Sequence, residues 1–210
     1  MYKLYFSPGT ASLCVHQALL ELGVAHELVA LDLNAGAQKQ TEYLALNPNG
    51  VVPTLIVDGR PYYEAAALLL LLAERHPGAG LAPAPGSPER GIYLQWTMHL
   101  ANTLQPTFRH WFSPGEIAGA EHADRVKQEA QARIEACFDR LDAHLTTNGP
   151  FMLGSNFSVL DIYAVMLMRW SRNMPKPATH WAACRALAER VKARPSWKRL
   201  YAAEGLTEWA

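Results

Sequence analysis

The sequence predicts two domains: an α/β domain over residues 1–77 and, after a linker over 78–88, an all-α domain over 89–210. Two observations carry this. Strand, helix, strand and hairpin signals follow one another up to Pro77, whereas every periodic stretch beyond Pro88 recurs at helical spacing. Between them lies a stretch dominated by Pro, Gly and Ala, the composition of a linker.

Each element has a local reason. Tyr2 to Phe6 is short, aromatic and apolar, and it stops at Ser7-Pro8-Gly9 as a strand does. From Ser12 onward Val15, Ala18, Leu19 and Leu22 recur at helical spacing, and Gly23 suits the left-handed position that closes a helix. His26 to Leu31 reads as a second strand. A polar loop from Asn34 to Gln40 and a short helix lead to Asn47-Pro48-Asn49-Gly50. Thr54 to Val57, the turn Asp58-Gly59 and Pro61 to Tyr63 read as a hairpin. Glu64 to His76 is a helix apolar nearly all round, which requires burial on several sides; Pro77-Gly78 ends it. A strand–helix–strand unit followed by a hairpin and a helix implies a mixed sheet with helices on both faces. In the second domain Arg90 to Arg109, Glu121 to Thr146, Val159 to Arg172 and Trp181 to Arg194 are helical in pattern, and Pro106 should kink or end the first of them.

Bulk properties exclude several function classes. Apolar residues make up 50% and charged residues 18% of the chain, a globular composition far from disorder. Nineteen basic residues balance nineteen acidic ones, so nucleic acid and anionic membrane find no broad attraction, and a charged ligand needs a local site. The longest apolar run, Ala65 to Ala73, is about half the length needed to span a bilayer. The start of the chain is broken too soon by Ser7-Pro8-Gly9 to be a signal peptide. Cys14, Cys137 and Cys184 are odd in number and widely spaced, which argues against a disulfide framework. The histidines show no paired metal-ligand spacing. These features lead to the expectation of a cytoplasmic protein without metal.

Three segments, in order and at their distances, resemble the glutathione transferase superfamily over nearly the whole chain. They are Tyr5-Phe6-Ser7-Pro8-Gly9-Thr10-Ala11-Ser12, then Asn47-Pro48-Asn49-Gly50-Val51-Val52-Pro53, and Ser158-Val159-Leu160-Asp161 preceded by Gly154. Arg194-Pro195-Ser196-Trp197 also resembles the family's last helices. The resemblance implies an α/β thioredoxin-like N-terminal domain plus an all-α C-terminal domain, with glutathione as cosubstrate. It implies that Pro53 follows a cis peptide, exposing the backbone of Val52 to pair with the cysteinyl part of glutathione. It also implies that Glu64 and Ala65, opening a helix, hold the γ-glutamyl end, and that Lys39, or its neighbour Gln38, meets the glycyl carboxylate. The chemistry is consistent: a helix start offers unpaired N–H groups and a positive dipole end to an anion. The same residues also have plain structural uses, as turn formers, a first-turn acid and a solvated lysine.

Bacterial beta-class members resemble this chain most at the N-terminus, but they carry a cysteine where this chain has Ala11, and their histidine–lysine pair falls on Gln105-Pro106. Their mixed-disulfide chemistry therefore does not carry over. Three hydroxyls remain to ionise the thiol: Thr10, where serine-type members place their serine; Ser12, one step on; and Tyr5, where tyrosine-type members place their tyrosine. A hydroxyl donating to sulfur favours thiolate over thiol. Ser12 equally suits an N-cap and Tyr5 a core strand position. Cys14 occupies the second, sheltered place of a Cys-x-x-Cys frame and reads as a packing residue.

In the family layout the acceptor lies against the first long helix of the second domain, where His99, Asn102 and Thr103 are the polar residues expected in an electrophile pocket. Phe108, Trp111 and Phe112 could wall it. Ser158 and Asp161 form a capping box, a folding device. The expected activity is detoxifying conjugation of glutathione to a small hydrophobic electrophile by a homodimer. A non-catalytic glutathione-fold binding protein and a glutathione-dependent isomerase, dehalogenase or peroxidase stay open at this point.

Overall fold

The computed structural model describes residues 1–209 and divides into two compact units, Met1–Ala82 with Lys192–Ala210, and Pro83–Val191. The units differ from the predicted domains at the C-terminus. Residues 192–209 pack with the first unit because the last helix lies on the first one, through contacts described below.

The first unit is built on strands β1 (Tyr2–Phe6), β2 (His26–Ala30), β3 (Thr54–Val57) and β4 (Arg60–Tyr63), in the order β2-β1-β3-β4. β1 and β2 run parallel, while β1–β3 and β3–β4 are antiparallel. Asp58 and Gly59 close the hairpin with φ of 51° and 82°, the left-handed pair that matches strand twist. Alternation along β1 turns Tyr2, Leu4 and Phe6 to one face, where they are buried. Helices α1 (Ser12–Leu22) and α3 (Ala65–Arg75) pack together on that face: Phe6 meets His16 at 5.9 Å between ring centroids, and Tyr2 meets His76 at 5.8 Å. Tyr5 faces the other way and meets Tyr43 of the short helix α2 (Thr41–Leu44) at 5.6 Å. Both faces are thus covered, as the element order predicts. Gly23, at φ 65°, closes α1 through its N–H on the Leu20 carbonyl.

The second unit is helical: α4 (Glu89–His99), α5 (Gln105–Phe112), α6 (Gly115–Ala118), α7 (Ala123–Asn148), α8 (Val159–Trp170) and α9 (Ala182–Lys192). Its core gathers Tyr93, Phe108, Ile134, Phe138, Leu141 and Tyr163, and α8 is buried from Val159 to Arg169. Pro106 does not end its helix. A π-helical turn at Leu100–Leu104 precedes it, and the Gln105 N–H reaches back to the Leu100 carbonyl. The wider turn accommodates a residue that can neither donate its own bond nor tolerate the carbonyl four positions earlier. Helix α10 (Pro195–Glu204) returns to the first unit and packs on α1. Arg194 clamps Glu21 bidentately, Nε at 2.7 Å and Nη2 at 2.8 Å, and Ser196 donates to the same carboxylate.

Ser158 caps α8 as its sequence predicts. The Leu160 N–H donates to Ser158 Oγ at 3.2 Å, and Asp161 accepts from the Ser158 N–H at 2.8 Å and the Met152 N–H at 2.8 Å. Burial pushes the Asp161 carboxyl up to about 6, against the downward pull of these N–H groups. Below its ordinary value of 3.8 the carboxyl is protonated in both folded and unfolded chains; between there and about 6 only the folded chain holds the proton. Stability owed to Asp161 is therefore greatest below about pH 4 and falls as pH rises through 6, by on the order of 3 kcal/mol. Urea midpoints across this range should show that slope, and Asp161→Asn, although less stable, should lack it.

Candidate functional site

One row of the sheet register assembles the candidate residues of the first unit. Tyr5 pairs with Thr54, and Thr54 with Tyr63. Just beyond that row the chain leaves β1 into Ser7–Thr10, enters β3 from Val52-Pro53, and leaves β4 into Glu64-Ala65. Neighbouring strands lie about 4.8 Å apart, so three backbone segments distant in sequence stand side by side at one sheet end.

The Val52–Pro53 peptide is cis. Its position is held from behind: the Val51 carbonyl accepts from Tyr43 Oη at 2.7 Å and from Asn47 Nδ2 at 2.8 Å, and Tyr43 Oη also meets Thr54 Oγ1 at 2.7 Å. Asn47 is fully buried for this purpose. Among the described residues Val52 itself makes no hydrogen bond through its N–H or C=O, so an extended segment laid alongside would find one donor and one acceptor. Gly50 has φ 58°, and a Cβ there would stand 2.8 Å from Lys39 Nζ and 3.0 Å from the Gln38 carbonyl. Glycine thus lets Lys39 fold over this loop, its Nζ 3.5 Å from the Asn49 carbonyl. Gln38 lies beside it, with Oε1 buried and without a partner among the described residues.

Glu64 adopts φ 74° and ψ 108°, a conformation rare for a residue with a side chain, at the N-terminus of α3. Such strain costs about 1–3 kcal/mol and concentrates at functional sites. Its carboxylate caps nothing: α3 has no side-chain cap, and Glu64 is exposed while Ala65 is buried behind it.

The turn before α1 separates the three hydroxyls. The Ser7 carbonyl accepts from Thr10 Oγ1 at 2.7 Å and from Ser12 Oγ at 3.1 Å, and the two hydroxyl oxygens are 2.9 Å apart. Ser12 is wholly buried and also accepts from the Ser7 N–H at 3.3 Å. It sits inside α1, where the N-cap is Ala11, so it is a turn lock and not the helix cap considered from sequence. Thr10 is half-buried and can rotate its proton outward, because Ser12 can keep the Ser7 carbonyl satisfied. Tyr5 is half-buried on β1 against the Tyr43 ring. Cys14 is buried, donates to the Ala11 carbonyl at 3.2 Å, and has its thiol pushed far up by burial, which keeps it protonated.

One residue of this turn was not found from sequence. Glu204, at the end of α10, accepts from the Gly9 N–H through Oε2 at 2.9 Å, and its Oε1 lies 2.9 Å from His16 Nδ1; His16 and Glu204 side chains are 1% and 0% exposed. The only available signal was a lone acid at the end of an amphipathic helix, indistinguishable from a solvated one.

In the second unit, Asn102 and Thr103 share one groove with α5 and α7, and His99 is not part of its lining. His99 stands edge-on to Trp96 at 5.4 Å, with Nε2 buried and unpartnered among the described residues. Burial, aided by the Arg140 guanidinium, holds its imidazolium below the usual histidine range, so the ring is neutral near pH 7. Phe108 is core, while Phe112 is exposed and stacks on Phe108. At the place of the beta-class histidine–lysine pair, Gln105 accepts a hydrogen bond from the Tyr163 hydroxyl. Among the described residues no group of three or more His, Cys, Asp or Glu side chains is placed to hold a metal ion, and no helix is long and apolar enough to cross a membrane.

Comparison with known proteins bears on these observations. The family model of the glutathione S-transferase N-terminal domain matches residues 2–80, and that of the C-terminal domain matches residues 121–203. Glutathione S-transferase GST-4.5 of Xanthomonas campestris is 29% identical over 97% of this chain and 99% of its own. The crystal structure of a glutathione transferase from Methylococcus capsulatus is 31% identical, with a TM-score of 0.88 over 99% of this chain and 100% of its own. A sphingomonad glutathione S-transferase, solved in complex with glutathione, is 32% identical, with a TM-score of 0.85 over 98% and 100% of the two chains.

Glu204→Ala should lower the unfolding free energy by about 3–5 kcal/mol, because it removes a buried carboxylate that the His16 imidazole and the Gly9 N–H both meet. Glu204→Gln, which keeps an acceptor for Gly9, should lose less; denaturant unfolding of the two variants checks both.

Proposed function

The chain belongs to the glutathione S-transferase family, and we propose that it binds reduced glutathione at the sheet end just described and adds its thiolate to a small hydrophobic electrophile. The observation that carries this reading is the unpaired Val52 backbone standing at the same sheet end as the Thr10 turn and the strained Glu64.

Each residue has a physical role in this reading. The Val52 N–H and C=O pair with the cysteinyl backbone of glutathione, with Pro53 fixing the direction of that edge. The Glu64 carboxylate accepts from the γ-glutamyl ammonium, while the first N–H groups of α3, starting at Ala65, receive the γ-glutamyl carboxylate. Lys39 meets the glycyl carboxylate. The thiol then lies at the start of α1, where Thr10 turns its hydroxyl to the sulfur, and the helix dipole adds to the preference for thiolate. Ser12 holds the turn in shape, and Tyr5 is the second donor in line. Holding an ionised sulfur beside its acceptor supplies both nucleophile and proximity. His99, neutral and half-buried on α4, belongs to the acceptor side, with Asn102 and Thr103 the further polar candidates on the turn that follows. Exposed Val51, Tyr62 and Tyr63 on the first unit and Leu94 and Met98 on the second support pairing with a second copy. Three buried free cysteines suit the cytoplasm.

Titration of thiolate absorbance in the glutathione complex tests the mechanism. The bound thiol should ionise at least one pH unit below free glutathione, and Thr10→Ala should raise that value more than Tyr5→Phe does. A bound thiol with its free-solution ionisation would rule the transferase mechanism out and leave a binding protein. Glu64→Gly offers a separate check on the strained residue. It should raise thermal stability of the free protein, by relief of about 1 kcal/mol of strain, while weakening glutathione at least tenfold.

A further inference from the structure

We propose that the groove between α5 and α7 is a second binding site, selective for a small phosphate monoester. It is distinct from the glutathione cradle of the first unit, since every residue involved belongs to the helical unit. The groove encloses about 450 Å³. Its polar lining comes from Asn102, Thr103, Thr107, His110, Arg133 and Arg140, and no acidic residue lines it.

In a chain whose charges cancel, such a lining is a local excess of positive charge. Its groups are also uncommitted. Among the described residues, Asn102, Thr103, His110 and Arg133 have no side-chain hydrogen-bond or ion-pair partner, and Arg140 touches only Cys137 Sγ, at 4.0 Å. Thr107 differs, because its hydroxyl donates to the Thr103 carbonyl at 2.6 Å. By contrast, Arg109 pairs with Glu116 at 2.6 Å and Arg75 with Asp58 at 2.5 Å.

Spacing brings the two free guanidinium groups to one place. Arg133 and Arg140 are seven residues apart on α7, two helical turns, and so stand on one face above and below Cys137. Across from them the π-helical turn presents Asn102 and Thr103 side by side, and α5 contributes His110 one turn beyond Pro106. Two cations and three neutral or titratable donors match the charge and the several acceptor oxygens of a phosphate dianion. Pro106, Ala136 and the buried Cys137 form an apolar floor, and the volume exceeds that of a bare phosphate, which leaves room for the organic part of an ester. An adjoining cavity of about 380 Å³ shares His110 and Arg133 but contains Glu129, so the dianion belongs in the first.

Calorimetric titration of the full chain with phenyl phosphate, at low ionic strength, tests this. Binding should be saturable and should weaken with added salt. Arg133→Gln and Arg140→Gln should each reduce affinity about tenfold, whereas Arg190→Gln, an exposed arginine on α9, should not. Phenol in place of phenyl phosphate should not bind with the same dependence on Arg133. No binding by the unmodified chain, equal loss in Arg190→Gln, or unchanged affinity in both groove variants would overturn the proposal. So would a fall in solution mass of Arg133→Gln by light scattering, which would make the groove a contact between copies.

Discussion

The pairing of Tyr5 with Thr54 and of Thr54 with Tyr63 is the constraint on which the candidate site rests. Strand pairing has a period of two, so a slip of one residue would turn Tyr5 into the α1–α3 face and carry Leu4 out to Tyr43. Burial of Tyr2, Leu4 and Phe6 on one face and the Tyr5–Tyr43 contact on the other exclude that slip. The same register brings Ser7–Thr10, Val52-Pro53 and Glu64 to one sheet end. Core packing and ligand geometry are thus set by one row of hydrogen bonds.

Around that row, polar groups are used to hold backbone. The Val51 carbonyl takes two side-chain donors, and the Ser7 carbonyl takes two hydroxyls and the Thr10 N–H. The Gly9 N–H takes a buried carboxylate from the far end of the chain. In a low-dielectric surrounding each unmade bond of this kind costs more than a made one contributes, so the arrangement tolerates few alternatives. The result is a turn and a loop that hold the unpaired N–H and C=O of Val52, and the strained backbone of Glu64, in place.

The helical unit follows a different logic. Its core is α8, buried on all sides and started by the Ser158–Asp161 box, while its surface features come from an irregularity. A π-helical turn before Pro106 keeps α4 and α5 continuous and rotates Asn102 and Thr103 toward α7. The groove that results owes its shape to a missing N–H and its charge to two arginines that no carboxylate pairs.

What could be read from the residues alone was whatever depends on neighbours in sequence. The strand and helix limits, the Asp58-Gly59 turn, the Gly23 stop and the Ser158 cap all follow from local backbone preference, and the order of elements implied the mixed sheet. The likeness of Arg194-Pro195-Ser196-Trp197 to the family's last helices was legible, but not the company of that segment: Glu204 and Arg194 meet His16, Gly9 and Glu21 across more than 170 positions, and no local pattern encodes such a pairing. Ser12 and Thr10 looked equivalent as hydroxyls, and only their shared hold on the Ser7 carbonyl distinguished a lock from a donor. Thus the sequence by itself determined the elements, the two-part architecture and the family likeness, because these rest on local propensity and on motifs. The tertiary structure alone decided which donors are spent, which are free and which cations stand unpaired, because hydrogen-bond satisfaction is a property of side chains brought together from distant parts of the chain.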